Sequence, residues 1–226
     1  MTKLLSAALF ASTSLTALPS AAATLSGTFD VRVVNFNAGG VAADAKADQA
    51  NFDARWAAAS AGQKDEFAYS GFIDFHVDNF PKDIDAESIS EFLATGVGGS
   101  VTGLDATVGG LTLSNPTFQI TTLFEFTLTS SSQAFTFDVV HDDGITAYDD
   151  GIADIAFSNP TGVRTTSGGS FDGGQFSLVY AAANGNPSKL HVTNVAPVPL
   201  PASSLFLIGG LAATGAMARR KAKNTA

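Results

Sequence analysis

Cysteine is absent from this 226-residue chain, which removes thiol catalysis, Cys-ligated zinc and disulfide stapling together. Positive charge is scarce and unevenly placed. The chain has 12 Lys and Arg against 21 Asp and Glu, and five of the cations (Lys3, Arg219, Arg220, Lys221 and Lys223) lie in two terminal segments that contain no acid. The stretch between keeps seven basic groups and a charge near −14. That excludes nucleic acid, whose phosphates demand a basic footprint, and adhesion to anionic lipid. Such a charge keeps a domain soluble and attracts cations. Catalytic motifs are missing too. There is no G-x-S-x-G, no H-E-x-x-H and no G-x-x-x-x-G-K-[ST], so the nucleophile elbow, the zinc protease helix and the phosphate loop are absent. With 21 acids, some carboxylate pair always looks suitable for glycoside hydrolysis. The expectation is a binding protein, not an enzyme.

The ends read as targeting segments. Residues 1–23 carry Lys3, an apolar stretch from Leu4 to Leu18, and Ala21-Ala22-Ala23 in an A-x-A cleavage pattern, which predicts a signal peptide. A buried N-terminal helix is the alternative. At the other end, residues 198–226 open on Val198-Pro199-Leu200-Pro201-Ala202, where neither proline can continue a helix. An uncharged run to Ala218 follows, about nineteen residues from Leu200 and near the lower limit for a membrane span. Arg219, Arg220 and Lys221 come next and predict a cytoplasmic C-terminal end.

This three-part tail resembles the PEP-CTERM class of sorting signals in its VPLPA-CTERM variant. The resemblance implies recognition by an exosortase-type membrane protease that cuts near the motif. It also implies a cell-surface or extracellular protein, held only transiently in the inner membrane. An ordinary C-terminal anchor is the alternative.

Residues 24–197 are long enough to fold on apolar burial without staples. Strand patterns are predicted over Phe29–Phe36, Phe67–Val77, Gly110–Leu113, Phe118–Leu128, Phe135–Val140, Ile145–Tyr148, Ile152–Phe157, Phe171–Ala182 and Leu190–Val195. Gly96–Gly99 and Gly168–Gly174 read as loops. Helices are expected over Ala42–Ala61, with Phe52 and Trp56 on one face, and over Ala86–Ala94, capped by Asp85. The fold expected is mainly β: an antiparallel, jelly-roll-like β-sandwich with one or two short helices.

Asp-Asp-Gly occurs twice, at Asp142-Asp143-Gly144 and Asp149-Asp150-Gly151. A start-to-start spacing of seven residues is about 23 Å of extended chain, so the two turns belong at opposite ends of one strand. The second carries a type I′ hairpin signal and is read as structural. At the first, adjacent carboxylates repel unless a cation or donors compensate. Calcium, which takes six to eight hard oxygens, would do so. A solvated acidic turn is the other reading. Gly144 is expected to let the backbone turn tightly, and His141 to sit in solvent at the turn.

The order of a Phe-rich strand, Asp-Asp-Gly, a short strand with Tyr and an Asp-Gly turn resembles the protective-antigen carbohydrate-binding domain family. The stretch Gly173–Thr193 resembles its later segment, and the likeness spans Phe135–Val195. It implies a β-sandwich in which Asp142 and Asp143 hold calcium, which in turn holds sugar hydroxyls. An Asn from a second loop completes the site: Asn184, with Asn186 as substitute. The implied partner is extracellular polysaccharide. A structural biofilm-matrix protein with no small ligand is the alternative.

Overall fold

The computed structural model describes residues 23–77, 87–129 and 133–198. The signal-peptide segment before Ala23, and the sorting motif and basic cluster after Val198, lie outside these. Among the described residues no helix is long and apolar enough to cross a membrane.

The described residues form eleven strands in chain order: β1 Ser26–Phe36, β2 Lys64–Phe72, β3 Asp74–Val77, β4 Ser100–Thr102, β5 Thr121–Leu128, β6 Phe135–Asp142, β7 Ile145–Asp149, β8 Ile152–Phe157, β9 Arg164–Phe171, β10 Phe176–Ala182 and β11 Ser188–Pro197. They form a seven-stranded sheet ordered β4-β2-β1-β5-β10-β7-β8 and a four-stranded sheet ordered β3-β11-β6-β9. Every pairing is antiparallel. Phe29, Phe126 and Tyr180 of the larger sheet share one buried core with Phe75, Phe137 and Val192 of the smaller. The two sheets therefore face one another, as the alternation of buried and exposed residues along β1 and β6 requires.

The stretch Phe67–Val77, expected as one strand, is two. It breaks at Ile73, which is buried and pinned on both sides: its amide donates to Leu25 at 2.8 Å and its carbonyl accepts from Val192 at 3.0 Å. The chain turns this corner and passes from the larger sheet to the smaller. Gly110–Leu113 is not a strand. Gly110 caps α3 (Ala106–Gly109), and the stretch makes only an isolated bridge, Thr112 to Ser88. Phe171–Ala182 is the end of β9, a turn and β10. Gly168–Phe171, expected within a loop, lies in β9.

The expected helix over Ala42–Ala61 is shorter. A 3₁₀ turn covers Ala42–Ala45, and α1 spans Gln49–Ala58. The chain is drawn extended between them because the Ala47 amide donates to Ser158 at 2.9 Å and its carbonyl accepts from Thr146 at 2.6 Å. Asp48 then caps α1 through the Asn51 amide. α2 spans Ile89–Ala94 and starts later than expected. Ser88 and Glu91 form a reciprocal capping box, a pattern present in the sequence as S-x-x-E. α1 lies on the outer face of the larger sheet over a second buried cluster that includes Val34, Phe52, Leu123 and Val179.

Candidate functional site

Asp142 is the last residue of β6 and Ile145 the first of β7, and these strands belong to different sheets. The first Asp-Asp-Gly is therefore the crossing from one sheet to the other, not a hairpin turn. The Asp142–Asp143 peptide is cis. Gly144 serves a different purpose from the tight turn expected of it. It is not among the residues with positive φ. A Cβ there would lie 2.2 Å from the Ser158 carbonyl oxygen, so the position has no room for a side chain.

Asp143 is fully buried. Its Oδ2 accepts from the amides of Ala183 at 2.7 Å and Asn184 at 3.0 Å. Its Oδ1 is buried with no hydrogen-bond partner. The Thr161 amide favours the carboxylate electrostatically without meeting hydrogen-bond geometry at Oδ1. Burial pushes the Asp143 carboxyl up to about 7, with repulsion from Asp142 adding to it against the donated amides. Asp142 is 5 % exposed, and burial pushes it up to about 6. Among the described residues, no side chain or amide donates to its carboxylate and no cation forms an ion pair with either acid. Two adjacent carboxylates are thus held out of water without a counter-charge, a costly arrangement unless a proton or a cation joins them.

The surroundings hold the turn rigidly. Tyr180, completely buried, donates its hydroxyl to the Asp142 carbonyl at 2.5 Å, and its ring stacks on Phe92 at 5.8 Å between centroids. His141 was expected in solvent and is instead wholly buried. Its Nδ1 lies 2.6 Å from the Asp143 carbonyl and its Nε2 2.9 Å from the Thr166 hydroxyl. A carbonyl only accepts, so Nδ1 carries the proton and Nε2 accepts from Thr166. Burial lowers the His141 pKa and keeps the ring neutral near pH 7. The side chain faces inward because β6 continues through Asp142, which puts His141 on the core side beside Leu190 of β11.

Asn184 meets Asp143 through its main-chain amide, while its side chain stays at the exposed rim. Asn186 precedes a cis proline and makes no hydrogen bond to either acid among the described residues. Asp142, Asp143, Gly144 and Asn184 are therefore brought together, with Asn186 two residues further along the same loop. The Ala183 amide and the Ser158 carbonyl are the contributors that sequence reasoning did not find. Both act through the backbone, which leaves no mark in residue type.

The second Asp-Asp-Gly lies at the far end of β7. Asp150 and Gly151 have φ of 47° and 79°, as a type I′ hairpin between β7 and β8 requires. Asp149, Asp150 and Asp172 each place an oxygen within 4.8 Å of the others. Repulsion from Asp149 is the main reason the Asp172 carboxyl titrates above its ordinary range. Asp150 and Asp172 are exposed, while Asp149 is half-buried and its Oδ1 is out of water with no hydrogen-bond partner.

Two consequences are measurable. Tyr180→Phe strips the donor from the buried Asp142 carbonyl, and should cost about 1–3 kcal/mol in denaturant unfolding. The two acids also set a pH dependence. Both carboxyls titrate higher in the folded chain (about 6 and about 7) than the ordinary value near 3.9 in the unfolded one. Between roughly pH 4 and 7 the folded state holds more protons, so stability falls as pH rises through that window. In metal-chelated buffer the loss from pH 4.5 to 8 should be on the order of a few kcal/mol. It should shrink in the Asp143→Asn variant.

No family model matches the sequence, and no curated protein is similar to it at the sequence level. Among solved structures, a PA14 sugar-binding domain from an RTX adhesin is similar at a TM-score of 0.47 and 18% identity, over 75% of this chain and 90% of that one. The PA14 domain of the antifreeze protein MpAFP is similar at 0.46 and 13%, over 80% and 86%. Both are distant likenesses of fold.

Proposed function

We propose that this chain is an exported surface or extracellular-matrix protein whose β-domain binds glycans with the help of calcium. The observation that carries the reading is the buried Oδ1 of Asp143, which has no hydrogen-bond partner and sits beside a second acid with no cation paired to it. The donor set suits a hard divalent cation: two adjacent carboxylates, one with an oxygen that no hydrogen bond satisfies. Asp142 and Asp143 would hold the ion, and Asn184 and Asn186 stand on the loop that borders it. When bound, calcium supplies coordination positions that adjacent sugar hydroxyls can fill.

The chain's own residues do the rest. The amides of Ala183 and Asn184 fix one Asp143 oxygen and leave the other free. His141 and Tyr180 hold the two carbonyls of the turn. Asp143 has no exposed surface, so it is suited to holding an ion and not to exchanging a proton with a substrate. That favours a binding module over an enzyme. Export and surface display rest on the two terminal segments, with the tail read by an exosortase and cut near Val198–Ala202.

Calorimetric titration of the full chain with calcium, followed by a glycan array with and without chelator, tests the domain's role. Saturable calcium binding and chelator-sensitive glycan signals are expected. No heat at millimolar calcium would sink the ion reading, and a blank array with intact calcium binding would sink the glycan reading. Intact mass of the surface form tests the tail, a retained C-terminus pointing to a plain anchor.

A further inference from the structure

α1 packs over Val34, Leu123 and Val179 on the outer face of the seven-stranded sheet. Beside it that face forms a polar trough. On its near side a cavity of ≈ 340 Å³ is lined by Gln49, Glu125, Tyr148, Gln175 and Ser177. On its far side one of ≈ 460 Å³ is lined by Asp30, Glu66 and Phe67. Arg32 and Thr127 line both, so the two adjoin on this face.

The floor is ordered before any ligand arrives. Arg32 donates to Glu125 at 2.5 Å and to Asp53 at 3.4 Å, and its guanidinium lies over Phe52 at 4.9 Å and Trp56 at 5.4 Å. Glu125 is 7 % exposed, and with its charge matched by Arg32 it is a fixed acceptor, not a mobile one. Beside this pair runs a register row: Asp30 opposite Thr127, Thr127 opposite Ser177, Ser177 opposite Tyr148. Among the described residues, the side chains of Asp30, Thr127, Ser177 and Gln175 have no hydrogen-bond partner in the chain. Strands lie about 4.8 Å apart, so the row from β1 to β7 offers carboxylate and hydroxyl groups over about 14 Å, with the Gln175 amide beside it. Its direction is across the strands.

We infer that this trough is a second glycan site, taking a linear, uncharged polysaccharide laid across the strands and needing no metal ion. Three features choose that occupant. The lining carries three acids (Asp30, Glu66 and Glu125) against one base, already paired, which repels polyanions. Its unpartnered groups are hydroxyls, an amide and a carboxylate, which match the donors and acceptors of sugar hydroxyls. A preorganised floor costs little entropy on binding. The site is independent of the calcium reading, since Asp142 and Asp143 lie on the sheet crossing and not on this face.

Affinity electrophoresis of the full chain in chelator, through gels containing dextran, hydroxyethylcellulose or galactomannan, tests it. Retardation by at least one neutral polymer is expected. The triple variant Thr127→Ala, Gln175→Ala, Ser177→Ala removes three surface groups without touching the core. It should weaken that retardation by about a hundredfold in apparent affinity. Migration unaffected by all three polymers, retardation abolished by chelator, or equal retardation of the triple variant would each overturn the inference. Circular dichroism of the variant separates lost binding from lost folding.

Discussion

Replacing Asp143 by Asn should abolish the response of the protein's stability to calcium and raise its metal-free stability at pH 8. In the wild type the carboxylate is buried with one oxygen unbonded, and at pH 8 it is ionised at a cost. The amide removes that charge and keeps an oxygen for Ala183 and Asn184, so the relief of desolvation outweighs the loss of charge-assisted hydrogen bonds, as a carboxyl raised to about 7 requires. In chelator at pH 8 the variant should be the more stable of the two by about 1–4 kcal/mol. With calcium at a hundred times its dissociation constant, the wild type gains about 2.7 kcal/mol. For a domain of this size that is about 5–10 °C in melting temperature. The variant has lost the ligand and should not move. An equal rise in both proteins would mean that calcium binds elsewhere, and the acidic cluster around Asp149 would be the place to look.

Gly144→Ala should prevent folding or nearly so, and Gly151→Ala should not, although each glycine closes the same Asp-Asp-Gly tripeptide. At Gly144 the new methyl would meet the Ser158 carbonyl oxygen at 2.2 Å. That oxygen accepts from Ala47, and Ala47 is fixed by Thr146, so backbone on three segments must yield. A cost above about 4 kcal/mol is expected, a large share of the 5–15 kcal/mol that holds a typical domain together. At Gly151 nothing lies within 4 Å and only the positive φ of 79° resists a side chain, so the cost is about 1–2 kcal/mol. Denaturant unfolding of both variants decides the matter. Similar losses would show that Ser158 moves aside.

The contrast between these glycines also marks how far the residues could be read unaided. β1 and β6 announced themselves because one face of each is apolar. β8 was read correctly over Ile152–Phe157 although only Ile155 is buried, because the flanking turns bound it. β4 and much of β9 were missed because they are edge strands whose side chains stay exposed, so nothing apolar marks them. The corner at Ile73 was invisible for the opposite reason: the apolar run continues through it, and only long-range backbone hydrogen bonds show that the chain changes sheets. At the site, the tension between Asp142 and Asp143 was legible from charge alone. What relieves part of it is two amides about forty residues away, and amides are common to every residue type but proline. His141 is buried and not solvated because the strand runs past Val140, where the apolar alternation ends, to Asp142. Two more residues of strand turn that side chain from solvent to core.

The pairing of β6 with β11 has a consequence for orientation. Phe135 lies opposite Pro197 and Asp142 opposite Lys189, so the chain leaves toward its C-terminal segment at one end of this ladder while the acidic pair sits at the other. Seven residues of strand make that distance about 23 Å. Ala23 bridges Val195, so the N-terminal segment departs from the same end as the C-terminal one. The acidic pair therefore lies at the end of the domain opposite to any attachment made through either segment.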